Sequence, residues 1–444
     1  MHEGCAAARD GLGSVMGSKR LKAFVTRGTK KVPIADPECF ATLRKDYLKS
    51  VKETDHPWVP MFKQWGTCSF LTPHLTFGNA PIKNFQFSGE EFFPNHGKLN
   101  GDEITKYQVR KHACLGCPMG CKGWVKVEES AYGMVEGAKP EYETLAMLGS
   151  NCLNDDAESI IKANDICNRY GIDTVGVGSS IAFAMECYER GVITKEDTDG
   201  IELTWGNAAA MVAMVEKVAR REGFGAVLAD GSKRAAERIG KGSEKWAMHI
   251  GGQGMPAHDP RVKLGHCWGY VCDPSPARHT CSTFKEFHAC GIAFYASDTL
   301  PEVDLLDIEA NAPLWAICSD LERLWWSAGL CEFGLCPETM PLPELMSAAT
   351  GWNFTLAEGL KAGRRIQTLR QAFNIREGIN TSEWHLPERL EATMPNGPKK
   401  GRKIDFKAMK EKGYEALGWN AKTGKPLESS LEELGLKELV GQLP

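Results

Sequence analysis

The chain has 444 residues, 42% of them hydrophobic and 25% charged, with 53 Lys and Arg against 57 Asp and Glu for a formal net charge of −4. That composition is globular rather than disordered, suggests two or three domains, and excludes a polybasic nucleic-acid binder. No apolar run approaches the roughly 20 residues needed to span a bilayer, and no signal-peptide pattern opens the chain.

In chain order, residues 1 to 37 are rich in Gly and Lys and carry the β-branched Val25, Thr26 and Val32. They read as a remnant of a sheet-like unit. Residues 55 to 110 hold Pro, Gly, Asn and aromatics without a sustained helical period, so long loops and short helices are predicted there. From about 141 the pattern turns helical. Acids at 155, 156 and 158 lead into Ile160, Ile161, Ala163, Ile166, Cys167 and Tyr170, with Gly171 as the stop. Similar helical stretches cover 178–190, 207–222 and 231–239, with Asn207 a natural N-cap for the second of these. A later block predicts helices over 303–328, 343–349 and 355–375. The fold class is thus mainly α: two helical domains, 38–250 and 251–444, behind the short β-containing remnant at 1–37. The boundary between the two falls near 245–255.

Sixteen cysteines in a chain this long do not describe a disulfide-stapled secreted domain, so most are expected to be reduced thiols in a cytoplasmic setting. Three stand together in Cys114-Leu-Gly-Cys117-Pro-Met-Gly-Cys121. Gly116 and Gly120 let the backbone wrap one centre. Three close thiolates plus a distant fourth suit an iron–sulfur cluster. A zinc site also begins from a CxxC, but it usually brings a second CxxC, and none follows. Spacing leaves both open, with chance clustering as a third reading. Cys331 follows a predicted helix and a glycine, and Cys336 is close behind. Cys167 and Cys187 lie on apolar helix faces and read as small buried hydrophobes.

Polar groups gather in a few places. Glu141 and Glu143 sit at the edge of an apolar run, either as a solvated helix start or as buried catalytic groups. His258-Asp-Pro-Arg261 and Asp273-Pro-Ser-Pro-Ala-Arg-His279-Thr280 are Pro-rich loops of the kind that carries sites, although a lone His in such a loop is more often a hydrogen-bonded surface group. Arg9 opens a Gly-rich turn, Arg9-Asp-Gly-Leu-Gly13, which alone is a weak anion-site signal.

Taken in order, these segments resemble the tungsten-dependent aldehyde ferredoxin oxidoreductase family. The resemblance rests on Arg9 to Lys22, Cys114 to Cys121, Pro140-Glu-Tyr-Glu143, Leu148-Gly-Ser-Asn151, Arg220 to Gly225, Pro256 to Arg261, Gly329-Leu-Cys331, Asn374 to Gly378 and Leu386 to Arg389. It implies a β-rich first domain followed by two helical domains. It also implies a tungsten (or molybdenum) ion held by two pterin dithiolenes bridged through Mg, and a [4Fe–4S] cluster passing electrons to ferredoxin or a similar carrier. Cys114, Cys117, Cys121 and Cys331 would hold the cluster. Glu143 and His279 would be the catalytic residues, and Arg9 would contact the pterin phosphates or their Mg. The family's two pterin motifs fall on Asn168-Arg-Tyr-Gly171-Ile172-Asp173 and Trp326-Ser-Ala-Gly329-Leu330-Cys331. Asn168 and Trp326 replace the leading aspartates, and Trp326 cannot accept a hydrogen bond. Where some members bind a lone iron between subunits, this chain has Lys162 and Val212, so no such iron is expected.

The activity implied is oxidation of an aldehyde to a carboxylate. The alternatives are a low-potential aromatic acyl-coenzyme A reductase subunit of the same family, or a non-catalytic iron–sulfur relay. Met1 falls just before the last motif of the family's first domain. Most of that domain is therefore expected in a longer natural chain or in a partner subunit, unless the pterin cofactor has been lost. A homodimer is a further expectation; a membrane or nucleic-acid partner is not.

Overall fold

The computed structural model describes residues 9–280, 303–304, 306–335 and 340–444. Helices dominate. In the first part they are α1 (Leu12–Ser18), α2 (Pro37–Glu53), α3 (Trp58–Gln64), α4 (Leu71–Thr76) and α5 (Gly101–Thr105). A three-stranded antiparallel sheet follows, in the order β1 (Gln108–His112), β2 (Lys122–Val127), β3 (Val135–Ala138). Then come α6 (Tyr142–Leu148), α7 (Ala157–Tyr170), α8 (Thr174–Glu189), α9 (Ala208–Arg220), α10 (Phe224–Leu228) and α11 (Gly231–Ile239). The two-residue strands β4 (His249–Ile250) and β5 (Gln253–Gly254) form a hairpin at the expected boundary. Beyond it lie α12 (Leu264–Cys272), α13 (Ile308–Ser327), α14 (Leu342–Thr350), α15 (Leu356–Arg376), α16 (Glu388–Glu391), α17 (Phe406–Ala416) and α18 (Glu428–Glu433).

The helix ends follow local chemistry. Asp156 caps α7 by accepting from Glu158 and Ser159 N–H, and Gly171 closes it at φ 70°. Asp173 then caps α8 two residues later, and Asn207 caps α9 through Ala210 N–H. Thr355 and Glu358 form a capping box on α15. Residues 55–110 are short helices and connections, as predicted.

The front of the chain differs from expectation. Among the described residues 9–37 there is one short helix and no strand. Val25 and Val32 are 93% and 85% exposed, because no neighbouring strand is there to pair with them. The sheet lies instead at 108–138, beside the cysteine loop.

One core gathers α4, α6, α7, α8, α9 and α11. Leu145, Ala146, Met147 and Leu148 are all fully buried in it. A Cβ on Gly178 would overlap Met147, so this glycine lets α8 lie directly against α6. A second core joins α12, α13 and α17, with Trp268 and Trp315 stacked 6.1 Å apart. A third combines Tyr47, Val51, Val59, Phe62 and Met119 with Leu314, Leu321 and Trp325. Residues from both sides of position 250 therefore share it, and the cysteine loop is packed on it.

Candidate active site and cluster loop

Glu143 is the second residue of α6, and the buried face of that helix fixes its direction. Its Oε2 accepts a 2.8 Å hydrogen bond from Ala257 N–H. Its Oε1 has no hydrogen-bond partner although it is buried. Around Oε1 stand His258 Nε2 at 3.2 Å and His279 Nδ1 at 3.5 Å. Ligand atoms of these three residues all lie within 4.8 Å of one another. Glu143 and His279 are therefore brought together as expected.

His258 is a site residue that sequence reasoning passed over. It is 5% exposed, with Nδ1 2.6 Å from Asn79 Nδ2. With Asn79 so placed, Nδ1 accepts and Nε2 carries the proton that faces Glu143. His74, His266 and His279 surround it, with ring centroids 5.0, 4.9 and 5.2 Å away. Burial, reinforced by Lys263 and His279, holds the pKa of His258 well below the usual imidazole range. Burial likewise depresses His74 and His266, and it lowers His279 against the opposing pull of Glu143. Burial thus favours the uncharged form of these rings, and they face Glu143 Oε1 as neutral neighbours rather than as ion-pair partners. The only signal in the sequence was the Pro256-Ala-His-Asp-Pro-Arg261 segment, where a surface role seemed the commoner reading.

The loop carrying His279 is anchored by Asp273, which is fully buried. It receives Arg323 at 2.7 Å, Gln367 at 2.9 Å and Arg370 at 3.2 Å. Burial alone would raise its pKa, but the two guanidiniums and Gln367 hold it far below the carboxylate range. Helices α13 and α15 thus hold the site loop.

Arg9 lies at the rim of a concavity of about 1150 Å³, lined also by Gly171, Asp173, Arg221 and Gly254. Its guanidinium donates to Ala277 and Gly254 carbonyls and meets Asp173 at 3.3 Å. Three of its five N–H donors are thereby engaged, and two remain for a ligand. Asn168 is not part of this lining; its carbonyl accepts from Gly171 N–H at 3.3 Å. Gly329 and Leu330 close α13 by backbone bonds to Trp326 and Trp325 and also lie outside the concavity. Trp326, in place of an aspartate, takes Arg323 and Arg278 over its ring at 4.5 and 5.4 Å. A carboxylate there would have paired with these cations; the indole holds them through its π face.

Cys117, Cys121, Leu330 and Phe333 pack on the third core, so the cysteine loop and the Cys331 segment converge. The Tyr47 hydroxyl donates to Gly334 O beside Cys331. Gly66 has φ 74°, and a Cβ there would overlap the Cys121 carbonyl oxygen. Cys121 has the other three thiols as electrostatic neighbours. Yet among the described residues only Glu143, His258 and His279 gather ligand atoms within 4.8 Å. Cys114, Cys117, Cys121 and Cys331 are not joined in disulfides. Cys336 lies outside the described residues.

The family model "Aldehyde ferredoxin oxidoreductase, domains 2 & 3" matches residues 42–436. The chain is 35% identical over 441 residues to the tungsten-containing aldehyde ferredoxin oxidoreductase of Pyrococcus furiosus, covering 98% of this chain and 70% of that one. It is 30% identical to the aliphatic sulfonate oxidoreductase WOR-like subunit of the same organism, covering 98% and 66%. Among solved structures, the active-site complex BamBC of benzoyl coenzyme A reductase with 1,5-dienoyl-CoA shares the fold, with a TM-score of 0.75, 22% identity, and 98% and 71% coverage. No helix among the described residues is long and apolar enough to cross a membrane. The matched family model and the extended identity with its members agree with the site geometry: this chain belongs to the aldehyde ferredoxin oxidoreductase family and is an oxidoreductase.

Proposed function

We propose that the protein oxidises an aldehyde with water to a carboxylic acid, releasing two electrons and two protons. A [4Fe–4S] cluster, when bound, would supply one-electron transfer toward ferredoxin or a similar carrier in the cytoplasm. The observation that carries the reading is the buried, unpartnered Glu143 Oε1 between two neutral imidazoles. A buried acceptor left without a partner costs about 1–3 kcal/mol, which is tolerated where a substrate, water or proton is to be received.

The residues fit the implied cofactors. Arg9 keeps two donors for a pterin phosphate, beside Asp173 and Gly171 on the same concavity. Asn168, Gly329 and Leu330 would complete the pterin contacts, and Mg would accompany the pterin phosphates. Cys114, Cys117, Cys121 and Cys331 would hold the cluster, since the cysteine loop and the Cys331 segment meet on one core. A tungsten or molybdenum bis-pterin centre supplies, when bound, the two-electron acceptor and a Lewis acid for the carbonyl oxygen.

The chain's own groups do the proton chemistry. Glu143 Oε1 takes a proton from the attacking water while Ala257 N–H keeps Oε2 fixed. His258 Nε2–H aligns the carboxylate from one side. His279 donates to the oxygen on which negative charge develops.

Anaerobically purified protein, analysed for metals and pterin and assayed for aldehyde-dependent viologen reduction, tests this reading. Bound tungsten or molybdenum with aldehyde-dependent reduction is expected. Cofactor without aldehyde activity would overturn the substrate assignment.

A further inference from the structure

The stretch Ile104–Val127 contains five Lys and Arg residues and no Asp or Glu, in a chain whose net charge is −4. It contains the three clustered cysteines. Two of its cations are neutralised locally: Lys106 pairs with Glu103 and Lys126 with Glu128. Arg110 and Lys111 are exposed on β1, the edge strand of the sheet. Neither pairs with a carboxylate among the described residues. They are instead held in place: Arg110 lies over the Trp124 ring at 5.7 Å, and Lys111 Nζ donates to the Lys63 carbonyl at 2.7 Å. Lys63, Lys111 and His112 line one shallow groove of about 270 Å³ with Met119 and Gly120, which belong to the cysteine loop.

At the tip of that loop Leu115 is fully exposed, with Cys114 exposed beside it. Val109 is also exposed, at 58%. An apolar point ringed by fixed cations over a redox-ligand loop is the arrangement that steers and seats an anionic protein. Edge-strand cations also deter strand pairing between copies, but that role does not require an exposed leucine on the adjoining loop.

We infer that β1 and the Cys114–Cys121 loop form the docking surface for a small acidic one-electron carrier protein, with Leu115 at the contact and Arg110, Lys111 and Lys63 supplying the opposing charge. This rests on the cluster reading above. Two encounters are needed per aldehyde: each carrier molecule leaves with one of the two electrons released when aldehyde and water become carboxylic acid and two protons. Apolar area at the tip is small, so the complex is a transient one of the low-area kind.

The test is binding, independent of turnover. Thermophoresis of the cluster-loaded protein with a purified acidic single-cluster ferredoxin is carried out at 20 and 300 mM salt. Arg110→Glu/Lys111→Glu is expected to raise Kd at least tenfold at low salt, and salt is expected to weaken the wild type by a similar factor. Leu115→Ser, which changes no charge, is expected to raise Kd severalfold. The control Lys361→Glu/Lys407→Glu, at exposed positions on α15 and α17, is expected to stay within twofold. Failure of the wild type to bind, an unchanged Kd in both β1 and loop variants, or an equal loss in the control would overturn the proposal. Iron and sulfide are measured on the same samples. Absence of both sinks the cluster reading itself, whereas a full cluster with no dependence on Arg110, Lys111 or Leu115 sinks only the docking surface.

Discussion

His258 Nε2 stands 3.2 Å from Glu143 Oε1 while Asn79 holds the opposite face of the same ring at Nδ1. An amide, an imidazole and a carboxylate from positions 79, 258 and 143 thus form one line ending at the reactive oxygen. Asn79 acts through His258, so it is a positioning residue. Asn79→Ala should lower kcat about tenfold, as loss of an outer hydrogen-bond partner commonly does, with KM within twofold. Equal changes in kcat and KM, or none, would remove Asn79 from this role.

Glu143→Gln keeps the shape and removes the base. Turnover should fall by at least about 100-fold, the usual worth of a general base. Iron, tungsten and pterin content should not change. Metal analysis alongside a viologen assay checks both halves, and full activity in this variant would end the assignment.

Gly66 approaches the Cys121 carbonyl in a left-handed conformation. Gly66→Ala is both strained and crowded there, and the cysteine loop must move. Iron should drop well below the roughly four atoms per chain of one cubane. Cys331→Ser should do the same by removing a ligand. Iron analysis with the visible absorption of the cluster reads both.

Protonation should destabilise the fold below neutrality. His74, His258 and His266 are held well below the usual imidazole range by burial, and His249 is held at about 4. The unfolded imidazoles protonate near 6.5, so below that pH the unfolded state binds more protons. Stability from these groups is complete above 6.5 and is lost as pH falls. Burial raises Glu141, and it raises Asp320 to about 6, so these two oppose the trend. The lowered imidazoles outnumber the two raised carboxyls, so on balance acidification should lower Tm. A Tm series from pH 7 to 5.5 checks the sign; a rising Tm on acidification would contradict it.

Gly363 lies where α15 crosses α13, and a Cβ there would overlap the Asp320 carbonyl oxygen. Gly363→Ala should therefore cost about 1–3 kcal/mol by overpacking. Because α13 and α15 supply Arg323 and Arg370 to Asp273, activity should fall along with Tm. Calorimetry and a kcat measurement on one preparation test the link.

Much of the fold was written in local patterns. The stripe from Ile160 to Tyr170, the cap at Asn207 and the stops at Gly171 and Gly240 are local signals, and the helices follow them. At the front, Val25, Thr26 and Val32 announce strand propensity, but a strand forms only with a partner, and among the described residues 9–36 none forms. Within the site, Glu143 and His279 were legible through family resemblance. His258 was not, because its role comes from Asn79 and Glu143, each more than a hundred positions away. Likewise the convergence of the Cys114–Cys121 loop with the Cys331 segment on one core is a property of three-dimensional packing that no spacing of CxxC contains.

Glu186 on α8 is completely buried and is held bidentately by Arg389, 203 positions further along the chain. Asn84 also donates to it, and Arg190 supplies a second cation from the next turn. During synthesis the first helical core is on the outside of the ribosome long before Arg389 is made. At 5–20 residues per second, the carboxylate waits about 10–40 s for its main counter-ion. A buried carboxylate short of its counter-ion is costly, so α8 should stay loosely packed in that interval. The packing of the first helical core is therefore completed by the chain's own last quarter, through Arg389.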